Sequence, residues 1–373
     1  MQRLELEAEL LAFVQDWQDD DARFERLALE LFAWQFKHID AFRAFCQSRG
    51  ATPATVTRAR DVPLVPVSAF KFAQLSTPEA VAHPAAVFET SGTSDGQPGR
   101  VHLASTALYD ASLSASFAHF VVPDLAAKNQ RIRCISLVPT QAARPHSSLG
   151  HMVRQLTARW DDGHASQHLS EQGGLDAQGL GHALDLACEQ GQPVLIFATT
   201  LALDLWLEQL PPSKTWQLPK GSRLMDTGGP KGRHLSLDRG QQHAELCARL
   251  GMDEPLLVGE LGMTELASQR YETTARHALC GDVHAVRAYA GPPWLRSRVL
   301  RPQDHSDCPA GETGMLGHID LANLDTCAFL LTADLGRQLP VTGAGLALEL
   351  GGRIPGAEWR GCGLDAEALG LGR

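Results

Sequence analysis

Through the first fifty residues, apolar side chains return every three to four positions. Phe24, Leu27, Leu31 and Trp34 share one helical face, and Phe42 and Phe45 continue it until Gly50 stops the run. Asp19, Asp20 and Asp21 precede this face, where the positive end of a helix favours carboxylates. The spacing predicts an amphipathic helix laid over a core. Residues 61–71 carry Pro63 and Pro66, and each proline restricts itself and its predecessor, which predicts an extended path. The apolar run 85–88 reads as a strand, and Ser105 reads as the cap of a helix over 106–120. Strand-like runs at 132–138, 194–198 and 256–258 then alternate with helix-like patterns at 148–158, 201–210 and 237–250. Such alternation predicts an α/β fold with helices on a largely parallel sheet, with glycine turns at the carboxyl ends of the strands where ligands gather. From 292 to 350 the texture changes to short strand-like stretches (294–300, 315–320, 328–332 and 346–350) separated by turns, which predicts a β-rich subdomain. The expected division is a large α/β domain over 1–290, the β-rich part over 291–350 and a short tail over 351–373.

The totals narrow the possible partners. A chain of 373 residues with 44% apolar and 20% charged residues describes an ordinary globular protein able to bury a large core. A net charge of −10 argues against nucleic acid, which requires clustered Lys and Arg. No apolar run is long enough to span a bilayer, and the acidic N-terminus does not suit a signal peptide. The eight cysteines contain no CxxC pair and read as reduced thiols, so a cytoplasmic location is expected.

One stretch lacks apolar side chains altogether: Thr90-Ser91-Gly92-Thr93-Ser94-Asp95-Gly96-Gln97-Pro98-Gly99-Arg100. Glycine permits close approach of backbone to a ligand, and clustered N–H groups with hydroxyls form an anion-binding nest between strand and helix. The GxxxxGK[ST] of a Walker A loop is absent. Further on, Thr264-Glu265 sets a hydroxyl beside a carboxylate just past a strand-like run, a donor set suited to Mg²⁺ on phosphate. Asp334 stands close to Gly336, a spacing that by itself reads as a turn. In this order the three segments resemble the signatures of adenylate-forming enzymes, the superfamily of acyl- and aryl-CoA synthetases. That resemblance implies an ATP-binding set of Thr90, Ser91, Gly92, Thr93, Ser94, Gly96, Arg100, Gly228, Gly229, Thr264, Asp334 and Arg353. It implies Thr264 on the α-phosphate, Glu265 on the metal, Asp334 on the ribose hydroxyls, and Gly352-Arg353 at a hinge. Ala333 stands where that family has glycine. The last lysine is Lys231 and only twenty residues follow Arg353, so the superfamily's small C-terminal domain and its adenylation lysine are expected to be reduced to a short tail.

In that tail Cys362 lies between two glycines, two residues after Arg360. Glycines lend backbone freedom, and a nearby cation favours the nucleophilic thiolate. Almost end to end, the chain resembles the acyl-protein synthetases of bacterial bioluminescence. The likeness rests on the Pro-Leu-Val-Pro-Val-Ser-Ala-Phe-Lys segment at 63–71, the Ser-Gly-Thr loop, Gly228-Gly229-Pro230-Lys231, Pro292-Pro293-Trp294, residues 332–336 and the final Arg-Gly-Cys-Gly-Leu. It implies that ATP and Mg²⁺ activate a fatty acid as the acyl-adenylate. Cys362 would then carry the acyl group as a thioester to an acyl-accepting protein such as a reductase, with Lys231 and Thr264 assisting. Gly262-Met263-Thr264-Glu265 is closer to the wider superfamily than to the luminescence enzymes. Two alternatives are a coenzyme A ligase resembling phenylacetate-CoA ligase, which has no need of Cys362, and a nucleotide-binding protein without catalysis.

Overall fold

A computed structural model describes residues 2–90, 98–171, 174–228, 237–281, 286–339 and 347–353. Three helices come first: α1 (Arg3–Asp16), α2 (Asp21–His38) and α3 (Asp40–Gln47). They lead through β1 (Val65–Pro66) and α4 (Pro78–Ala82) to a hairpin of β2 (Ala86–Glu89) and β3 (Arg100–Leu103). The middle of the chain runs α5 (Ala107–Phe120), α6 (Pro123–Lys128), β4 (Arg133–Leu137), α7 (Ser148–Trp160), β5 (Ser166–Gln167), α8 (Ala177–Gln190), β6 (Val194–Thr199) and α9 (Thr200–Gln209). It continues with β7 (Arg223–Thr227), α10 (Arg239–Leu250), β8 (Leu257–Leu261), β9 (Arg270–Glu272) and α11 (Thr274–Cys280). The last strands are β10 (Tyr289–Ala290), β11 (Leu295–Leu300), β12 (Thr313–Asp320), β13 (Phe329–Leu339) and β14 (Ala347–Arg353). Two compact units result: Met1–Ala115 with Met263–Gln269 and Ala290–Arg373, and Ser116–Gly262 with Arg270–Tyr289.

The second unit contains the expected alternation. Its strands lie in the order β9-β8-β7-β6-β4-β5, parallel from β8 to β5, with β9 antiparallel to β8. Helices cover parallel strands, so these strands read as nearly unbroken apolar runs. Leu195, Phe197 and Ala198 of β6 and Ile135 and Leu137 of β4 are fully buried. Ile135, Leu137 and Ala198 join a core completed by Leu184, Leu203, Trp206 and Leu246. Arg223 opens β7 as a fully buried cation; it donates to both carboxylate oxygens of Asp124, at 2.7 and 3.0 Å, and to the Val121 carbonyl at 3.1 Å.

The first unit is the antiparallel set β11-β12-β13-β14, with β1 parallel to β13. Helix α2 packs here through Phe24, Leu27, Leu31 and Phe32, and the rings of Phe42 and Phe329 stack at 5.8 Å. The predicted N-terminal helix proves to be three, with extended Ile39 separating α2 from α3. On α2 the buried stripe passes through Gln35, not through Trp34, which is half-buried. The predicted extended path holds for Val65 and Pro66, which pair with Leu330 and Leu331; Val67–Lys71 then closes into a 3₁₀ turn. Proline fixes φ at a value that also suits the start of such a turn.

Candidate active site

The hydroxyl- and glycine-rich loop hangs from the β2–β3 hairpin. Glu89 and Arg100 are its last register pair. One step beyond, the Thr90 amide donates to the Gly99 carbonyl at 2.9 Å, and the Gly99 amide returns a bond to Thr90 Oγ1 at 2.9 Å. This reciprocal clasp sets the entry and exit of the loop side by side. Glycine is required at 99 by space: a Cβ there would stand 2.9 Å from the carbonyl carbon and Cβ of Phe70. The approach segment 63–71 thereby packs on the stem of the loop. Arg100 forms a 3.0 Å ion pair with Glu89 and is more than half exposed, the kind of pair that contributes at most about 1 kcal/mol. Ser91, Gly92, Thr93, Ser94 and Gly96 lie outside the described residues.

The second signature reaches this stem. The chain leaves β8 at Leu261, and Thr264 Oγ1 donates to the carbonyl of Glu89 at 3.3 Å. Residues 175 positions apart thus meet one step from Thr90. Glu265 is buried, and its own carbonyl accepts from Asn323 Nδ2 at 2.7 Å. Beyond Leu266, the amides of Ala267 and Ser268 both donate to Asp320 Oδ2 at 2.9 Å, and Ser268 Oγ donates to Oδ1 at 2.7 Å. Burial pushes the Asp320 carboxyl above the usual range, and its hydrogen bonds from Ser268, Ala322 and Ala267 pull the other way.

Asp334 lies within β13, so the turn suggested by its spacing to Gly336 is not formed. Its amide donates to Thr332 Oγ1 at 3.2 Å, and the Thr332 hydroxyl donates to the Leu316 carbonyl at 2.9 Å. In register Asp334 faces Arg353 on β14, beside an irregularity between Leu335 and Gly336. Gly352, opposite Leu335, has φ +91°, a backbone that side chains other than glycine rarely adopt.

Gly228 follows β7 in the other unit with φ +85°, and its carbonyl accepts from Thr200 Oγ1 at 2.9 Å. Gly229, Lys231 and Cys362 lie outside the described residues.

Among the described residues no group of three or more His, Cys, Asp or Glu is placed to hold a metal. Mg²⁺ carried on phosphates needs only one or two protein carboxylates, with phosphate and water completing its shell, and Glu265 beside Thr264 fits that donor set. Sequence reasoning missed Asp320, Asn323 and Gln35, whose partners are mostly backbone groups and leave no trace in residue spacing.

Solved structures of two ATP- or CoA-bound enzymes share this fold. A 2-hydroxyisobutyryl-CoA ligase solved with 2-HIB-AMP and CoA superposes with TM-score 0.62 at 14% identity, over 90% of this chain and 69% of that one. ATP-bound MatB of Rhodopseudomonas palustris gives 0.51 at 16% identity, over 72% and 48%. Residues 1–154 match the family model described as acyl-protein synthetase, LuxE. The long-chain-fatty-acid–luciferin-component ligase of Vibrio harveyi is 26% identical over 144 residues, 37% of this chain and 35% of that relative. The match spans about a third of the length of this curated relative.

Proposed function

We propose that this chain is an AMP-forming acid–thiol ligase that activates a carboxylic acid, a fatty acid by its resemblance to the acyl-protein synthetases. A carboxylate oxygen of the acid attacks the α-phosphorus of ATP, the bond to pyrophosphate breaks, and an acyl-adenylate forms. Charge spreading over the α-phosphate requires preorganised donors. We assign this task to the N–H groups and hydroxyls of Ser91, Thr93 and Ser94, to the Thr90 hydroxyl, to the Thr264 hydroxyl once it exchanges the Glu89 carbonyl for the phosphate, and to Lys231 and Arg100. Gly92, Gly96, Gly228 and Gly229 let the backbone approach the nucleotide, Asp334 takes the ribose hydroxyls, and Arg353 stands at the hinge. Mg²⁺ held by Glu265 would neutralise charge on the phosphates. The Cys362 thiolate then attacks the acyl carbon, the bond to AMP breaks, and the thioester is delivered to a partner protein such as an acyl reductase, in the cytoplasm. No described helix is long and apolar enough to cross a membrane.

The observation that supports this reading most is the bond from Thr264 to the Glu89 carbonyl, which brings the second signature to the stem of the first. The test is ATP–pyrophosphate exchange across a panel of carboxylic acids. Exchange that depends on an acid and falls in Thr264→Val and Glu265→Gln is expected; its absence with every acid would refute adenylation. For the carrier step, label from radiolabelled acid should be released by neutral hydroxylamine and be missing in Cys362→Ser. Acyl-CoA formation that is unaffected in Cys362→Ser would mark a coenzyme A ligase instead.

A further inference from the structure

Fully buried polar side chains are costly unless each finds a partner, and well-packed apolar residues would stabilise a core at least as well. The first unit nevertheless buries an unbroken polar chain beside Thr264 and Glu265. The Trp294 indole N–H donates to Ser112 Oγ at 2.8 Å, Ser112 donates to Ser268 Oγ at 2.9 Å, and Ser268 donates to Asp320 at 2.7 Å. All four side chains are completely buried. The order of donors has one sense: indole has no acceptor, each hydroxyl accepts one bond and donates one, and an ionised carboxylate only accepts. Asp320 collects the Ser268 hydroxyl and the amides of Ala267, Ser268 and Ala322, the last at 3.1 Å.

A second clamp grips the same segment. Asn323 donates to the Glu265 carbonyl at 2.7 Å, and Asn323 is itself fixed because Gln35 Nε2 donates to its carbonyl at 2.6 Å. Gln35 also donates to the Thr326 carbonyl at 2.6 Å and accepts from the Ala328 amide at 3.0 Å. Residues 265, 267 and 268 are therefore held through their backbone groups, by Asn323 at the first and by Asp320 at the other two. A satisfied buried network of this kind fixes one geometry more than it adds stability.

We propose that Asp320 is a positioning residue, which through Ala267 and Ser268 sets the backbone that aims Thr264 and Glu265 at a magnesium–nucleotide. This deepens the adenylation reading and rests on it for the identity of the ligand. The geometric part, that Asp320 holds residues 265–268, is independent of that reading.

The test compares the full-length wild type with Asp320→Asn and Ser268→Ala in three measurements: thermal unfolding, calorimetric binding of MgATP, and deuterium uptake of peptides spanning 262–269. A neutral amide in place of Asp320 turns an acceptor of four bonds into a group with its own donors. Binding of MgATP to folded Asp320→Asn should weaken by about tenfold, the effect of losing one hydrogen bond to a charged group, with faster deuterium uptake at 262–269 and no change at β4 or β6. Ser268→Ala keeps the three amide bonds to Asp320, so it should fold and show the same changes at roughly a third of the size; it decides the matter if Asp320→Asn does not fold. Unchanged uptake at 262–269 in Ser268→Ala, or wild-type MgATP affinity in folded Asp320→Asn, would overturn the proposal. A wild type that binds no MgATP would sink the adenylation reading; the uptake measurement would still show whether Asp320 holds the segment.

Discussion

Glu260 offers the most direct check on the electrostatics of the parallel unit. It sits in β8 in register with Thr227 of β7, and the Thr227 hydroxyl donates to its carboxylate. Burial pushes its carboxyl from the ordinary 4.5 up to about 7; the Thr227 bond pulls it down and the neighbouring Asp226 pushes it further up. The folded state thus holds a proton that the unfolded chain releases near pH 4.5. Stability from this group is complete below that pH and is lost as pH rises through about 7. The gap between 4.5 and about 7 corresponds to roughly 3 kcal/mol, of which most disappears between pH 5 and 8. Glu260→Gln keeps the shape and cannot ionise, so its stability should lack that decline. The assay is urea unfolding of wild type and variant at several pH values across this window, followed by the fluorescence of buried Trp206 and Trp216 in the same unit. Taking the difference between the two proteins cancels titration elsewhere. A difference that stays constant from pH 5 to 8, or that grows in favour of the wild type, would refute the assignment.

Three further outcomes are expected. Gly99→Ala should cost about 1–3 kcal/mol by thermal unfolding and weaken nucleotide binding, because its Cβ would press on the Phe70 backbone at 2.9 Å; an unchanged melting curve would show that the stem yields freely. Arg223→Met should destabilise by about 1–3 kcal/mol by stranding the half-buried Asp124, and adding Asp124→Asn should restore part of the loss; equal losses in single and double variants would deny the coupling. Burial pushes the thiols of Cys46, Cys134 and Cys327 upward, the last to about 12, so iodoacetamide near neutral pH should modify the exposed Cys280 in the native protein and spare these three until it is denatured. Mass spectrometry of the alkylated peptides reads this directly.

Local order set by side-chain chemistry could be read from the chain itself. The apolar runs at 132–138 and 194–198 became β4 and β6 because a strand covered on both faces leaves no polar positions. The spacing of Phe24, Leu27 and Leu31 became the buried face of α2 because a helix repeats every 3.6 residues. The hydroxyl–glycine composition of 90–100 and the Thr264-Glu265 pair marked candidate chemistry by residue type alone. Tertiary structure decided what no local rule carries. Periodicity placed Trp34 on the inner face of α2, yet Gln35 is buried there, because the carbonyls of Asn323 and Thr326 need a donor at that point. The spacing of Asp334 to Gly336 suggests a turn, yet pairing with β12 and β14 draws the segment into a strand of eleven residues. Asp320 and Asn323 read as the end of a strand-like stretch and the residues after it. Their role comes from backbone amides and a carbonyl more than fifty positions away, and main-chain groups are the same in every residue, so a sequence gives no sign of which side chain will meet them.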